Sequence, residues 1–461
     1  MTPSTLFASH ALLPDGWQHD VVLAWDAAGR FTSIDAGVPA PRGVPRAAGP
    51  VLPGLPNLHS HAFQRAMAGL TEYRSDPADS FWSWRTLMYR FAAALTPEHL
   101  EAIARQLYIE MLLAGYTSVC EFHYLHHDRH GQPYANRGEL AQCLIRAAAD
   151  TGIGLTLLPV LYQYSGFGNA PPLPEQARFI QSPQALLDLL VALRRADAPH
   201  DGLAYGVAPH SLRAVSPESL QALLQGVDAI DPRAPVHIHI AEQIGEVQGC
   251  IAALGARPVQ WLLDHVEVDG RWCLVHATHT DERERRAMAR SGAVVGLCPS
   301  TEANLGDGIF DAPDYLEAGG RWGIGSDSHA SVSVAEELRL LEYSQRWRDR
   351  RRNVLADARQ PYVADALYLA AQQGGAAASG RPIGGLARGQ RADFLVLDGT
   401  DPAISGVSPS QALAGMVFGN HGGNPIRDVV VGGRWIVDNR SHAMQAHARK
   451  DFLAARTALL T

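Results

Sequence analysis

His59 and His61 stand two residues apart in Leu58-His59-Ser60-His61-Ala62, just after the apolar run Val51-Leu52-Pro53-Gly54-Leu55. Residues two apart on a strand share a face, roughly 6.5–7 Å apart at Cα, so both imidazoles can converge on one metal ion. Later segments supply partners. His239 and Glu242 lie in Val236-His237-Ile238-His239-Ile240-Ala241-Glu242, His276 ends Trp272-Cys273-Leu274-Val275-His276, and Asp327 sits in Gly325-Ser326-Asp327-Ser328-His329. His237 shares a face with His239 but falls a layer deeper, as a packed or supporting residue. Neutral His59, His61 and His239 with the Asp327 carboxylate leave one position for water on Zn2+ or a similar divalent ion, which lowers that water's pKa towards ~7. The expected chemistry is hydrolytic. Asp327 binds the metal and accepts the water's proton, His276 hydrogen-bonds the hydroxide or polarises the electrophilic carbon, and Glu242 delivers a proton to a leaving nitrogen.

Such distant residues need a scaffold that gathers them. Strand-like runs at 51–58, 116–122, 153–160, 203–208, 236–240, 272–276, 293–298 and 321–326 alternate with helix-like stretches at 98–114, 138–150, 182–195, 216–226, 258–266 and 280–290. This is the pattern of an α/β protein built as a (β/α)8 barrel, whose catalytic groups sit at the C-terminal strand ends. His59 and His61, His239, His276 and Asp327 fall at or just past such ends, as do Tyr124, His210 and Arg213. Both flanks carry short alternating strands and are expected to pair into one small β-sandwich. The organisation expected is 1–49 and 385–461 as the two parts of that sandwich with the C-terminal tail, and 50–384 as the barrel.

Composition narrows the class. The chain has 461 residues, 46% apolar and 19% charged, with a formal charge of −8, which argues against a nucleic-acid partner. The run Arg346-Trp347-Arg348-Asp349-Arg350-Arg351-Arg352 then reads as a solvated helix face or an interface. No apolar stretch reaches the ~18 residues of a membrane span, and the N-terminus lacks a secretory pattern, so a cytoplasmic protein is expected. The five scattered cysteines suit reduced core thiols, with Cys298 as core rather than ligand. The only lysine is Lys450. Two-metal barrel hydrolases often bridge their ions with a carboxylated lysine, so one metal per chain is expected. His123, His126, His127 and His329 read as surface or loop residues.

With this order of residues the chain resembles the amidohydrolase superfamily, in its mononuclear deaminase-like branch. Gly385-Leu386-Ala387-Arg388-Gly389-Gln390-Arg391-Ala392-Asp393-Phe394 looks like that superfamily's return into the small β-domain. Leu297-Cys298-Pro299-Ser300-Thr301-Glu302-Ala303-Asn304-Leu305-Gly306-Asp307-Gly308 looks like its deaminase loop after strand seven. Pro56-Asn57-Leu58-His59-Ser60-His61-Ala62-Phe63-Gln64-Arg65, Phe81-Trp82-Ser83-Trp84-Arg85, Glu121-Phe122-His123-Tyr124 and His210-Ser211-Leu212-Arg213-Ala214-Val215 are similar to the formimidoylglutamate deiminases within it. The resemblance implies hydrolysis of N-formimino-L-glutamate to N-formyl-L-glutamate and ammonia in histidine degradation. It also implies substrate contacts from Gln64, Arg85, Tyr124, His210 and Arg213. A dianionic amidine suits planar cationic donors, and Arg213 after strand four and Arg85 in an aromatic loop after strand one are placed to supply them. A deaminase of the same branch acting on guanine, cytosine, an adenosine derivative or a triazine stays open, as does a non-enzymatic scaffold on this fold. A homodimer is expected.

Overall fold

The computed structural model describes residues 5–72, 81–419 and 423–461, with the side chains of 81–83 also outside the described set. Eight parallel strand positions form the barrel: Leu55–Ser60, Tyr116–His123, Gly154–Leu161, Leu203–Tyr205 continued by Ala208–Pro209, Val236–Ile240, Trp272–His276, Val294–Leu297 and Arg321–Ile324. The first four and last four form two ladders. Parallel bridges Val207 to Val236 and Ser60 to Asp327 join them and close the ring. The second joins the end of the first strand to the end of the eighth, which brings His59 and His61 to Asp327. Gly325 allows this approach, because a Cβ there would lie within 2.9 Å of His59 backbone and side-chain atoms.

One strand differs from the expectation. Val51–Pro53 pairs with strands of both chain flanks, and only Leu55–Ser60 belongs to the barrel. Gly54 separates them against Thr117, where any side chain would collide. The run 51–58 is therefore shared between two sheets.

Outer helices return the chain between strands. Pro97–Leu113, Pro183–Ala196 and Pro217–Ile230 each start on Thr96, Ser182 or Ser216, whose side chain accepts from a first-turn backbone N–H, followed by Pro at the first helical position. Glu282–Ser291 starts on an Asp281 and Glu284 capping box. The flanks form one eight-stranded sheet, ordered from the C-terminal strands through Val51–Pro53 to the three N-terminal strands. It curls over its own core, where Trp25 packs edge-on to Phe394 and donates to Gly433 O at 3.1 Å. No helix among the described residues is long and apolar enough to cross a membrane. All five cysteines are free and buried. The basic run ends the helix Val334–Asp349, with Arg346 on Glu342 and Arg348 on Asp311 and Asp349.

Candidate active site

His59, His61, His239 and Asp327 converge at the C-terminal mouth of the barrel, all buried. His59 Nε2 lies 3.1 Å from His61 Nε2 and 3.0 Å from His239 Nε2, and Asp327 Oδ1 lies 3.4 and 3.3 Å from the first two. A tetrahedron with ligand distances of about 2.0–2.1 Å has edges of about 3.3–3.4 Å, so these four atoms fit one ion. The outward nitrogens agree. His61 Nδ1 meets Phe122 O at 3.0 Å and His239 Nδ1 meets His210 O at 3.2 Å, which turns both Nε2 lone pairs inward. Burial lowers the pKa of all three imidazoles, that of His59 to about 3, so they stay neutral as ligands must be.

The backbone is bent to reach this point. Ala241, His276, Ala277 and Asp327 have φ of 51, 69, 50 and 44° at the ends of strands five, six and eight. Non-glycine residues adopt that region rarely and at a cost, and such residues cluster at functional sites. Glu246 holds the first bend by accepting from Ala241 N and Glu242 N at 3.2 and 3.1 Å.

His276 Nε2 lies 3.9 Å from Glu242 Oε1 and 3.8 Å from Asp327 Oδ2, and its Nδ1 meets Glu302 Oε1 at 3.3 Å. Burial alone would lower the His276 pKa, but Glu242, Glu302 and Asp327 outweigh it and raise it to about 10. Burial raises Glu242 against the pull of His276 and Arg213. For Asp327 the opposite holds: burial would raise its pKa, and His59, His276 and His61 bring it below the carboxylate range. One carboxylate thus favours its proton and the other its charge. Sequence reasoning misses Glu302 as a site residue, although it lies inside the quoted strand-seven loop.

A cavity opens over these groups, lined by Gln64, Arg85, Tyr124, His210 and Arg213 among others. Its empty space, open mouth included, is about 590 Å³. Gln64 donates to Tyr124 OH at 2.8 Å, and its buried Oε1 has no partner among the described residues. Arg213 Nε is likewise buried and unspent, with Glu242 and Glu246 each 3.9 Å from the guanidinium. Arg85 corrects an expectation: it lies on the helix Phe81–Ala94 rather than in a loop, and its Nε donates to Tyr89 OH. The side chains of Phe81, Trp82 and Ser83, which open the quoted aromatic segment, fall outside the described residues. His237 packs under the site with Nε2 2.8 Å from Ala378 O. Cys298 is core, beside Leu58 and Val275.

Of the histidines expected on the surface or in loops, His126, His127 and His329 do lie in loops, but none of the four is exposed. His123, His126 and His329 are buried rather than on the surface, and His127 is partly buried. His329 bridges Ser60 Oγ and Ser326 Oγ at 3.1 and 2.9 Å, tying the first strand to the eighth. Glu121 completes this brace by accepting from Ser60 Oγ and Ala62 N, both at 2.6 Å. Burial raises its pKa from 4.5 to about 7 against those donors. A carboxyl with a raised folded pKa binds more protons folded than unfolded between the two values, so its contribution to stability falls as pH rises from about 4.5 to about 7. Glu121→Gln is expected to flatten this decline, read as Tm against pH from pH 5 to 8.5 for both proteins.

The amidohydrolase family model matches residues 51–436, and the model described as "Formimidoylglutamate deiminase HutF, N-terminal domain" matches residues 3–44. A formimidoylglutamate deiminase from Pseudomonas aeruginosa is 54% identical over 458 residues, 99% of this chain and 100% of that protein. A 5-methylthioadenosine/S-adenosylhomocysteine deaminase from Natronomonas pharaonis is 28% identical over 394 residues, 85% of this chain and 82% of that protein. The crystal structure of an amidohydrolase from Brucella melitensis has a TM-score of 0.95 at 48% identity and full coverage of both chains. An adenosine deaminase structure from Xanthomonas campestris shares the fold, with a TM-score of 0.78 at 22% identity over 98% of both chains. The barrel, the ligand cluster at its mouth and these matches lead to one conclusion: the chain belongs to the amidohydrolase family, on the branch of its formimidoylglutamate deiminase relative.

Proposed function

We propose that this protein hydrolyses the formimino group of N-formimino-L-glutamate, giving N-formyl-L-glutamate and ammonia in histidine degradation. The observation that carries the reading is the pairing of the ligand cluster with two arginines on one cavity wall, Arg85 and Arg213. A substrate with two carboxylates calls for two planar cations, whereas a purine, pyrimidine or triazine ring calls for stacking and amide contacts. The P. aeruginosa relative's name agrees with this choice.

His59, His61, His239 and Asp327 would hold one divalent ion, Zn2+ in our reading. That ion would acidify water at the reacting carbon. Asp327, whose charge is favoured, accepts the water's first proton. His276, oriented by Glu302, donates a hydrogen bond from Nε2 into the gap between Asp327 and Glu242. The substrate's amidinium already carries two hydrogens on the departing nitrogen, and Glu242 passes it the third. As that nitrogen leaves as ammonia, the hydroxyl on the carbon returns a proton to Glu242 and becomes the formyl oxygen, while the proton taken by Asp327 passes to solvent. Arg85, Arg213, His210, Tyr124 and Gln64 hold the rest of the molecule. The protein we envisage is a cytoplasmic homodimer.

Ammonia release from N-formimino-L-glutamate against a panel of guanine, cytosine, adenosine derivatives and triazines tests the reading. Turnover of a ring substrate with none of the formimino acid would overturn it, and a metal-loaded protein inactive on all of them would favour a scaffold. Arg213→Ala is expected to weaken kcat/KM by about 1.5–3 kcal/mol, the usual size of a charge-assisted contact, with metal content unchanged.

A further inference from the structure

Two phenols that the mechanism does not use, Tyr89 and Tyr162, line the cavity beside Arg85 and Arg213. Behind them Gln176 is fully buried. Its Oε1 accepts from Leu173 N at 2.7 Å, which turns its amide N–H2 towards the phenols. That group donates to Tyr89 OH at 3.0 Å and to Tyr162 OH at 2.8 Å. Arg85 Nε donates to Tyr89 OH as well.

Counting hydrogens decides where the phenols point. A hydroxyl oxygen accepts two hydrogen bonds and donates one. Tyr89 has both acceptor positions filled, by Arg85 and Gln176, so Tyr162 has no place on it to donate. Tyr162 keeps one acceptor position and can take the Tyr89 hydrogen. Tyr89 and Tyr162 are also hydrogen-bond partners of each other. With the Tyr89 oxygen already accepting from Arg85 and Gln176, the hydrogen shared between them is that of Tyr89, which leaves the Tyr162 hydrogen to point into the cavity. Burial holds the Tyr162 phenol above its ordinary pKa, so that hydrogen stays in place. Arg85 and Arg213 both act electrostatically on Tyr162, which places the outgoing O–H in a cationic wall. A donor of this kind, unspent and flanked by two guanidiniums, suits an anion with at least two acceptor oxygens.

We propose that Tyr162 donates its phenolic hydrogen to a carboxylate oxygen of the substrate, completing the wall of Arg85 and Arg213, and that Gln176 with Tyr89 is the positioning device that turns this hydrogen outward. The proposal rests on the deiminase reading above and adds a specificity-determining residue to it.

Steady-state kinetics on the metal-loaded enzyme test it, with Tyr162→Phe, Gln176→Met and wild type on N-formimino-L-glutamate and on the two analogues in which one carboxylate is a carboxamide. Tyr162→Phe is expected to raise KM about tenfold or more on the diacid, with kcat within about threefold and metal content unchanged. Against one of the two monoamides the same substitution should change KM less than about twofold, since that analogue lacks the carboxylate that Tyr162 serves. Gln176→Met, which leaves the cavity lining intact, should raise KM in the same direction with the same dependence on that carboxylate. An active wild type whose KM is unmoved by Tyr162→Phe, or moved equally on all three compounds, overturns this proposal alone. A wild type that releases no ammonia from the diacid overturns the functional reading and the proposal with it.

Discussion

Glu242→Gln should retain the metal and bind substrate with little change in KM, while kcat falls by about 10²–10⁴-fold, the usual contribution of a positioned proton carrier. The substitution is nearly isosteric, and its position depends on the main chain. Ala241 and Glu242 donate their N–H groups to Glu246, and the left-handed turn at Ala241 sets the direction of the next side chain. The amide would fill the same space as the carboxyl without being able to take or release a proton. Burial favours the protonated form of Glu242, with Glu246 and Asp327 adding to it, while His276 and Arg213 oppose. Such opposed influences suit a group that takes up and releases a proton during turnover. Kinetics with metal analysis on one sample checks this, and a variant with near-normal kcat would assign the proton to another group.

The parts of this site that can be read from the sequence are those fixed by local spacing. An H-x-H at a strand end places both rings on one face whatever surrounds it, and the later ligands fall at strand ends that the βα alternation marks. The structure brings His59 and His61 to Asp327 through the closing bridge Ser60 to Asp327, while strand five, joined to the ring through Val207 to Val236, carries His239 to the same point. Other features depend on partners far along the chain. Gln176 is linked to Tyr89 across 87 residues, and nothing in Pro174-Glu175-Gln176 announces it. His329 reads as a polar loop residue because histidine after Asp-Ser is ambiguous. It is buried because Ser60 and Ser326 supply hydrogen bonds to both ring nitrogens, which only the closed barrel brings together. Arg85 reads as a loop residue because Phe-Trp-Ser-Trp suggests no helical stripe. Its helix packs against the Pro174–Gln176 turn and the Ala62–Met67 turn, so tertiary contact decides its conformation.

Removal of the metal is expected to have the largest effect of all, taking ammonia release to assay background, with activity restored by one equivalent of Zn2+ per chain. His59 Nε2 lies 3.1 Å from His61 Nε2 and 3.0 Å from His239 Nε2 and can give a hydrogen to one of them at most, since the Nδ1 atoms of His61 and His239 already face carbonyl oxygens and so carry the hydrogens. At least one close pair is therefore left with two inward lone pairs that repel unless a cation lies between them. Binding to the folded state alone also stabilises it, by about 2.7 kcal/mol at a free metal concentration a hundredfold above Kd, so the stripped protein should melt several degrees lower. His239→Ala should reproduce both losses and resist rescue, because its nitrogen forms one apex of the cluster. The count should be one ion per chain. The only lysine, Lys450, is exposed on the C-terminal helix Gln445–Leu460, so none is available at the barrel mouth to bridge a pair. Elemental analysis giving two ions in the active protein would overturn the single-metal reading, and with it the assignment of Asp327 to one ion.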